Sequence, residues 1–551
     1  VNGLSQASRP HSGSRLVLAL EASTTSAKAL VVSSDGEILR QQIQPYPLDT
    51  SDGQTQDVGL ILDLLMACGK QVAEGLPIEA IGLSGIWQSL LLTRDGVPQE
   101  RATTWLDDRA AGLAWQIRQD ETLASDLYTR TGCVPHPSYP LYRLIDRRGG
   151  IDGDNPLADG WTASQWPASI SGRNPDLEIG AIGDWIFRQL TGIFATSGNL
   201  ASGSGLYNLR ARSWDSRALE LAGLHPGQLP DIVPYNSRYA LLPIAAARLG
   251  LPAGLPVSLP FADGCLNQLG VDALMPGEWT ISVGTSAAIR AVVDRPPSFS
   301  IQQGLWCYQA FDQYMIGAAT AGGTNLLDWF KVLFAPAKTL EELDRLAFVP
   351  DRAGCEAENT ELHSPGRAPV FLPFVFGERA PGWNPHRHGG FFVDGRILDA
   401  QALEDPQLRQ ELTERFGLGV LYWSVLAGIL FSLRQSYDQL ARLFENHRLS
   451  LSGGILHSAG WQQLAADVFG RPMERPDNSQ ASAVGAARMA FLALDRRQFP
   501  LFRTNQLIDE GGESVPSVPP RPLVQPQSKE MALLDALYQA YLAAYVATQP
   551  E

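Results

Sequence analysis

The sequence predicts an α/β protein of two related domains facing each other across a cleft, and three observations carry that prediction. Two stretches, Leu18 to Val32 and Trp279 to Val293, share one pattern of apolar strand, tight turn of small hydroxyl residues and second apolar strand. After each hairpin, strand-like segments alternate with helical ones, which argues for a largely parallel sheet flanked by helices. The chain has 551 residues, too many for one core, so two domains of roughly 200–250 residues each is the natural division.

Taken in order, residues 1–14 are polar, without an apolar h-region, and read as a disordered tail and not a signal peptide. The first domain is expected over 15–256. Its hairpin is followed by the turn Ser34-Asp35-Gly36-Glu37 and a strand from Ile38 to Gln44. A helix is predicted from Val58 to Glu74, with Leu60, Leu64, Leu65 and Cys68 on one stripe. A strand over Ile78 to Ser84 runs into the turn Gly85-Ile86-Trp87-Gln88. Pro252-Ala253-Gly254-Leu255-Pro256 breaks any helix, and the crossing between domains is expected near Pro256.

The second domain is expected over 257–505, its pattern restarting at the second hairpin. Arg396 to Gly417 is charged and predicted helical. Leu418 to Leu433 carries no charge, is short for a bilayer span and reads as a buried helix. The remainder, 506–551, divides into a Pro-rich linker, Ile508 to Ser528, and a last amphipathic helix, Met531 to Val546.

Composition narrows the partners. Apolar residues make up 44% and charged ones 18%, as in a globular protein with a substantial interior. A formal charge of −15 argues against nucleic acid, and no segment calls for a membrane. The five cysteines are scattered without CxxC spacing, which excludes a zinc site or disulfide framework and suits a reducing, cytoplasmic setting. A homodimer is the one protein assembly entertained.

The chemistry-bearing residues cluster at the turns. Small residues let backbone N–H groups approach an anion and hydroxyls add donors. Thr24, Thr25 and Ser26 in one hairpin, with Gly284 and Thr285 in the other, are therefore candidates to hold a polyphosphate from two sides. Asp263 is predicted where a strand ends and a helix begins. It reads either as an N-cap or as a general base toward a substrate hydroxyl. Glu21 ends the first strand beside the phosphate turn, where an acid needs an intervening cation, so Mg²⁺ held through water is expected there. Gly322-Gly323 and Ser452-Gly453-Gly454 would ordinarily mark turns, but the latter sits between a strand and a helix, Trp461 to Phe469, and suits a nucleoside. Trp87, Gln88, Trp105, Asp108 and His136 follow successive strand ends and are candidate polyol contacts as well as packing residues.

These boxes resemble the FGGY carbohydrate kinases, from about Arg15 to Leu494. In order they are the first hairpin, Ala80 to Gly85, Thr104 to Arg109, Tyr128 to Cys133, Ile182 to Trp185 with Leu190 to Gly192, Asp263-Gly264, Gly284-Thr285-Ser286, and Ser452-Gly453-Gly454 with Ala466 to Gly470. The resemblance implies the actin-like, ribonuclease H-like ATPase fold, in two domains around a cleft, and ATP and Mg²⁺ as cofactors. It implies that Asp263 is the base, that Thr24, Thr25, Gly284 and Thr285 hold ATP phosphates, and that Gly322, Gly323, Gly453 and Gly454 line the adenosine pocket. Trp87, Gln88, Trp105 and His136 would face the sugar, and Glu21 and Asp263 would be the acids near the metal. His136 to Pro140, Gly284 to Arg290 and Gly377-Glu378-Arg379-Ala380-Pro381 with Trp383-Asn384 are most similar to gluconate kinases.

The expected activity is transfer of the γ-phosphate of ATP to a hydroxyl of a sugar or sugar acid, with gluconate first. Gluconate needs a cationic partner for its carboxylate, and Arg379 and His136 are the candidates. A ketopentose or pentitol kinase and a non-catalytic sugar-binding relative stay open. Three departures from the family pattern bear on them: Glu21 where Asp is usual, Trp87-Gln88 where Met-His or a similar pair commonly meets the sugar, and Ser424-Val425-Leu426-Ala427-Gly428 where Ala-x-x-Glu-Gly is usual.

Overall fold

All seven residues of Leu16–Ala22 (β1) are buried, and the strand continues through the three residues Ser23, Thr24 and Thr25 into Ser26–Ser33 (β2). A segment this apolar is covered on both faces. In the computed structural model, which describes residues 13–47, 54–149, 177–296, 298, 300–348, 368–476, 479–495 and 521–548, two sheets are built around such hairpins. The expected tail apart from residues 13 and 14, residues 508–520 of the expected linker, and Cys355 lie outside the described residues.

The first sheet contains β1, β2, Ile38–Pro45 (β3), Ile78–Gly85 (β4), Arg238–Ala240 (β5) and Pro256–Ala262 (β6), in the order β5-β6-β4-β1-β2-β3. Val58–Ala73 (α1) packs across β1, β2 and β3. Its start is capped by Asp57, whose carboxylate accepts from the Leu60 N–H at 3.1 Å. After β6 comes Asp263–Gly270 (α2).

The second sheet contains Glu278–Val283 (β7), Ala287–Val293 (β8), Trp306–Ala310 (β9), Gln313–Ala319 (β10), Arg448–Gly453 (β11), Met473–Glu474 (β12) and Leu523–Val524 (β13), in the order β9-β10-β8-β7-β11-β12-β13. Thr324–Phe334 (α3), Leu418–Ala441 (α4), Ala459–Phe469 (α5), Ala481–Leu494 (α6) and Ser528–Ala547 (α7) complete the elements that bear on the site. The duplication is visible in the pairing. In each sheet the first hairpin strand lies between its antiparallel partner and a parallel strand, β4 beside β1 and β11 beside β7.

Three expectations need correcting. The sheets are mixed and not largely parallel, because short turns join β1 to β2 to β3 and β7 to β8 as antiparallel neighbours. The first sheet does not end near Pro256: β6 begins at that residue and pairs in parallel with β4. The charged stretch 396–417 is only partly helical, with a strand, Arg396–Asp399, preceding the helix Pro406–Phe416.

The buried helix predicted over Leu418 to Leu433 is present and longer, reaching Ala441. It is the one helix among the described residues long and apolar enough to cross a membrane, yet 78% of its most apolar window is buried inside the protein.

The chain also crosses back. Helix α6, late in the sequence, packs against β4, β1 and α2 of the first domain. Glycines make this close approach: Gly82 on β4 faces the Ala486 carbonyl, Gly270 the Ala481 carbonyl, and Gly485 the Leu266 carbonyl. A β-carbon at Gly82 would enter the Ala486 carbonyl oxygen. Gly82→Ala is accordingly expected to destabilise the protein by about 2 kcal/mol, read as a lowered thermal midpoint. An unchanged midpoint would contradict this helix–sheet contact.

Candidate active site

The first turn is held by serines. The Ser23 N–H donates to the Ser26 carbonyl at 3.0 Å, and the Ser26 N–H donates back to Ser23 Oγ at 3.1 Å. Ser26 is buried with its hydroxyl against that of Ser23, whereas Thr25 stands exposed at the tip. Thr24 Oγ1 accepts from Trp105 Nε1 at 3.3 Å, tying the turn to the neighbouring wall.

In the second turn the Gly284 N–H donates to the Ser286 carbonyl at 2.9 Å, and the Gly284 carbonyl accepts from the Thr324 N–H at 2.7 Å. Three of the four predicted glycines close on this turn. Gly323 lies against Gly284 and Ser286, Gly453 against Val283 and Gly284, and Gly454 against Thr324 and Val283. Gly453 has φ +83°, a backbone region disfavoured with any β-carbon. Gly322 faces the other way, toward Leu326 and the Pro373 carbonyl. The nucleotide-side candidates thus gather at one end of the second sheet.

Asp263 lies within the electrostatic reach of both hairpins. It is the first residue of α2, but the N-cap is Ala262 and no side chain caps this helix. Asp263 Oδ1 instead accepts from the adjacent Gly264 N–H at 2.7 Å. Burial pushes its carboxyl above the usual aspartate range; Arg290 opposes the rise, Glu21 adds to it, and Lys28 opposes it more weakly. Groups from both hairpins therefore act on one carboxylate: Glu21 and Lys28 from the first, Arg290 from the second.

Glu21 and Lys28 are directly opposed across β1 and β2 and form an ion pair at 2.9 Å. Burial works against the Lys28 charge, but Glu21 outweighs it and the ammonium is held above its usual range. The other Glu21 oxygen accepts from Ser482 Oγ at the start of α6, at 2.7 Å. Arg290 donates from Nη1 to Ser282 Oγ at 2.6 Å, while its buried Nε–H has no partner.

Beside Asp263 lies an aromatic and amide wall. Trp87 packs on Gly264, its indole N–H donating to the Asn199 carbonyl at 2.9 Å, and Tyr308 lies 4.9 Å from it ring to ring. Gln88 has φ +62°, held by Arg143, whose guanidinium donates to the Gln88 carbonyl and also to those of Thr104 and Ser138. That backbone turns the Gln88 amide inward: its Nε2 donates to Tyr308 Oη at 2.9 Å and its Oε1 accepts from Arg379 Nη2 at 2.9 Å. Tyr308 Oη is also 2.7 Å from Tyr139 Oη. Arg379 sits over the rings of Trp105, at 5.3 Å, and Trp383, at 5.8 Å, with its buried Nε–H unpartnered.

The wall brings together Trp87, Gln88, Trp105 and Arg379, but His136 does not belong with them as a cation. Its Nδ1 is 2.9 Å from Ser138 Oγ and its Nε2 is 3.2 Å from the Glu378 carbonyl. Burial, with Arg379 adding to it, pushes the imidazole well below its usual value. Both ring nitrogens are thus engaged by protein groups, and burial disfavours the imidazolium that pairing with a carboxylate would use. Asp108 stays at the rim, bonded to Gln54 at 3.0 Å.

Sequence reasoning assigned no role to Lys28, Arg290, Tyr308, Arg143 or Ser482. Lys28 and Arg290 had a signal: each is the one charge in an otherwise apolar strand, SAKALVVS and AAIRAVV, where an unpaired charge is costly. Tyr308, Arg143 and Ser482 had none, since the partners that bring them to the site, Gln88 for the first two and Glu21 for the third, are far off in sequence.

The family model "FGGY family of carbohydrate kinases, N-terminal domain" matches residues 16–146 and 161–270, and the C-terminal model matches 279–494. A gluconokinase of Bacillus subtilis (strain 168) is 27% identical over 488 residues, covering 87% of each chain. The crystal structures of a gluconate kinase and of a ligand-bound xylulose kinase, both from Lactobacillus acidophilus, superpose with TM-scores of 0.75. Each covers 97% of this chain and 98% of its own at 23% identity, a likeness of fold. With both family models matched in order over most of its length, the chain belongs to the FGGY carbohydrate kinases, two-domain actin-like enzymes that transfer phosphate from ATP to a sugar.

Proposed function

We propose that this kinase phosphorylates a sugar acid, D-gluconate first, at a terminal hydroxyl. The observation that carries the reading is the Arg379 guanidinium on the Gln88–Trp105 wall, whose buried Nε–H has no partner. A buried donor left unpaired costs free energy, and a ligand carboxylate there would satisfy it while the hydroxyl at the far end of the carbon chain reaches Asp263. Gln88, Tyr308 and Trp87 would bracket the carbon chain and its hydroxyls.

In this reading Asp263 accepts the proton of the attacking hydroxyl. The turn residues Thr24, Thr25, Gly284 and Thr285 hold the phosphates, and the packed Gly323, Gly453 and Gly454 leave room for the nucleoside. Ser26 supports its turn from inside. Among the described residues no three His, Cys, Asp or Glu side chains gather as a metal site. Two neighbouring carboxylates, Glu21 and Asp263, suit Mg²⁺ that arrives on phosphate oxygens with its waters. When bound there, Mg²⁺ would neutralise charge on the transferring phosphoryl group. The division of the chain that fits both sheets falls between α2 and β7.

The test is an ADP-release assay with ATP and a panel of D-gluconate, D-gluconate's uncharged analogue D-glucitol, D-xylulose and glycerol. D-Gluconate is expected to give the highest kcat/KM. Preference for any neutral acceptor would replace this reading with the ketopentose or polyol one, for which the neutral Gln88–Tyr308–Tyr139 array would supply the contacts.

A further inference from the structure

Helix α7 lies beyond residue 494, where the family-model match ends, and it reaches the loop that carries Arg379. Glu378, the residue before Arg379, is fully buried, and burial pushes its carboxyl up against the pull of Arg387, Tyr545 and Gly382. A buried carboxylate is tolerated only when its oxygens are occupied. Two of its partners come from its own loop: the Gly382 N–H donates to Oε1 at 2.9 Å, and the Arg387 guanidinium forms an ion pair with Oε2, Nε at 2.9 Å but not aligned as a hydrogen bond. The third comes from α7, where Tyr545 Oη donates to Glu378 Oε1 at 2.6 Å. The contact is reciprocal. Arg387 Nη1 donates to the Tyr545 carbonyl at 2.8 Å, in the last turn of α7, and its guanidinium lies 4.0 Å over the Tyr545 ring. A cation at a helix C-terminus is favoured by the aligned peptide dipoles.

We propose that α7 is a brace for the loop 373–387, and that Tyr545 is a positioning residue that holds Arg379 where it meets the acceptor. The connection runs from Tyr545 through Glu378 to Arg379, and from Arg379 to Gln88 Oε1 on the opposite domain. Without the Tyr545 hydroxyl, Glu378 keeps Arg387 and Gly382, so the loop stays folded while its register against Gln88 loosens. The inference rests on Arg379 touching the acceptor.

The experiment compares Tyr545→Phe, Arg379→Gln and the double variant in the full chain, using whichever of D-gluconate, D-xylulose and glycerol the native protein turns over with the highest kcat/KM. Tyr545→Phe is expected to raise the acceptor KM about tenfold, the scale of one hydrogen bond to a charged group, with the ATP KM unchanged. The double variant should be no worse than Arg379→Gln alone, because both act through one contact. An unchanged acceptor KM in Tyr545→Phe, or a parallel rise in both KM values with a lowered thermal midpoint, overturns the brace. If Arg379→Gln itself leaves the acceptor KM unchanged, it is the reading of the site that has failed. Glu378→Gln, which can still accept from Tyr545, is expected to keep the acceptor KM within about twofold of native and carries the test if Tyr545→Phe does not fold, a tenfold rise there overturning the brace.

Discussion

Asp263→Asn is expected to lower kcat by about a thousandfold, within the range that a positioned general base contributes. The substitution keeps the shape of the side chain and removes its ability to take a proton. Nucleotide binding should survive, because the two turns and the glycines around them are formed by other residues. Steady-state turnover and calorimetric titration with ATP check the two halves of this expectation separately. A variant that retains most of its activity would remove Asp263 from the chemistry. The pH profile offers an independent test. A base works only when ionised, so activity is lost as pH falls through its pKa. Burial raises that pKa in Asp263 and Arg290 restrains the rise. The acid limb of kcat/KM should therefore lie above the ordinary aspartate range, and Arg290→Met should move it to still higher pH. Movement in the opposite direction would mean that Arg290 does not act on this carboxylate.

Arg379→Gln is expected to raise KM for a sugar acid about a hundredfold, since losing one partner of a buried charged pair costs about 2–5 kcal/mol and 1.4 kcal/mol is tenfold. A neutral polyol should lose far less. Arg379→Lys should not rescue the loss, because the planar guanidinium both stacks between Trp105 and Trp383 and reaches Gln88 Oε1. Comparable losses for charged and neutral acceptors would show that Arg379 shapes the wall without reading a carboxylate.

Much of the architecture was legible because it is written in local pattern. The hairpins are apolar runs broken by small hydroxyl residues, and their repetition at two places exposed the duplication. Helix α1, the strand-to-helix change at Asp263 and the buried α4 follow from hydrophobic periodicity and run length, which act over a few residues. The glycine pairs were visible, although only their packing on Val283, Gly284 and Ser286 separates Gly323, Gly453 and Gly454 from Gly322.

What the sequence determined by itself was the set of elements and the residue types at their ends: an acid after β6, hydroxyl turns after β1 and β7, an arginine in a Gly-Glu-Arg loop. The tertiary structure decided which of these meet. It extended the first sheet through β6 past the expected crossing, carried α6 back onto the first domain to bring Ser482 to Glu21, and engaged both ring nitrogens of His136 while setting the charge of Arg290 against Asp263. The reason is physical: hydrogen-bonding and conformational preferences of neighbouring residues act along the chain, whereas burial and charge pairing also draw on groups remote in sequence, as Ser482 is from Glu21, and exist only once the chain has folded.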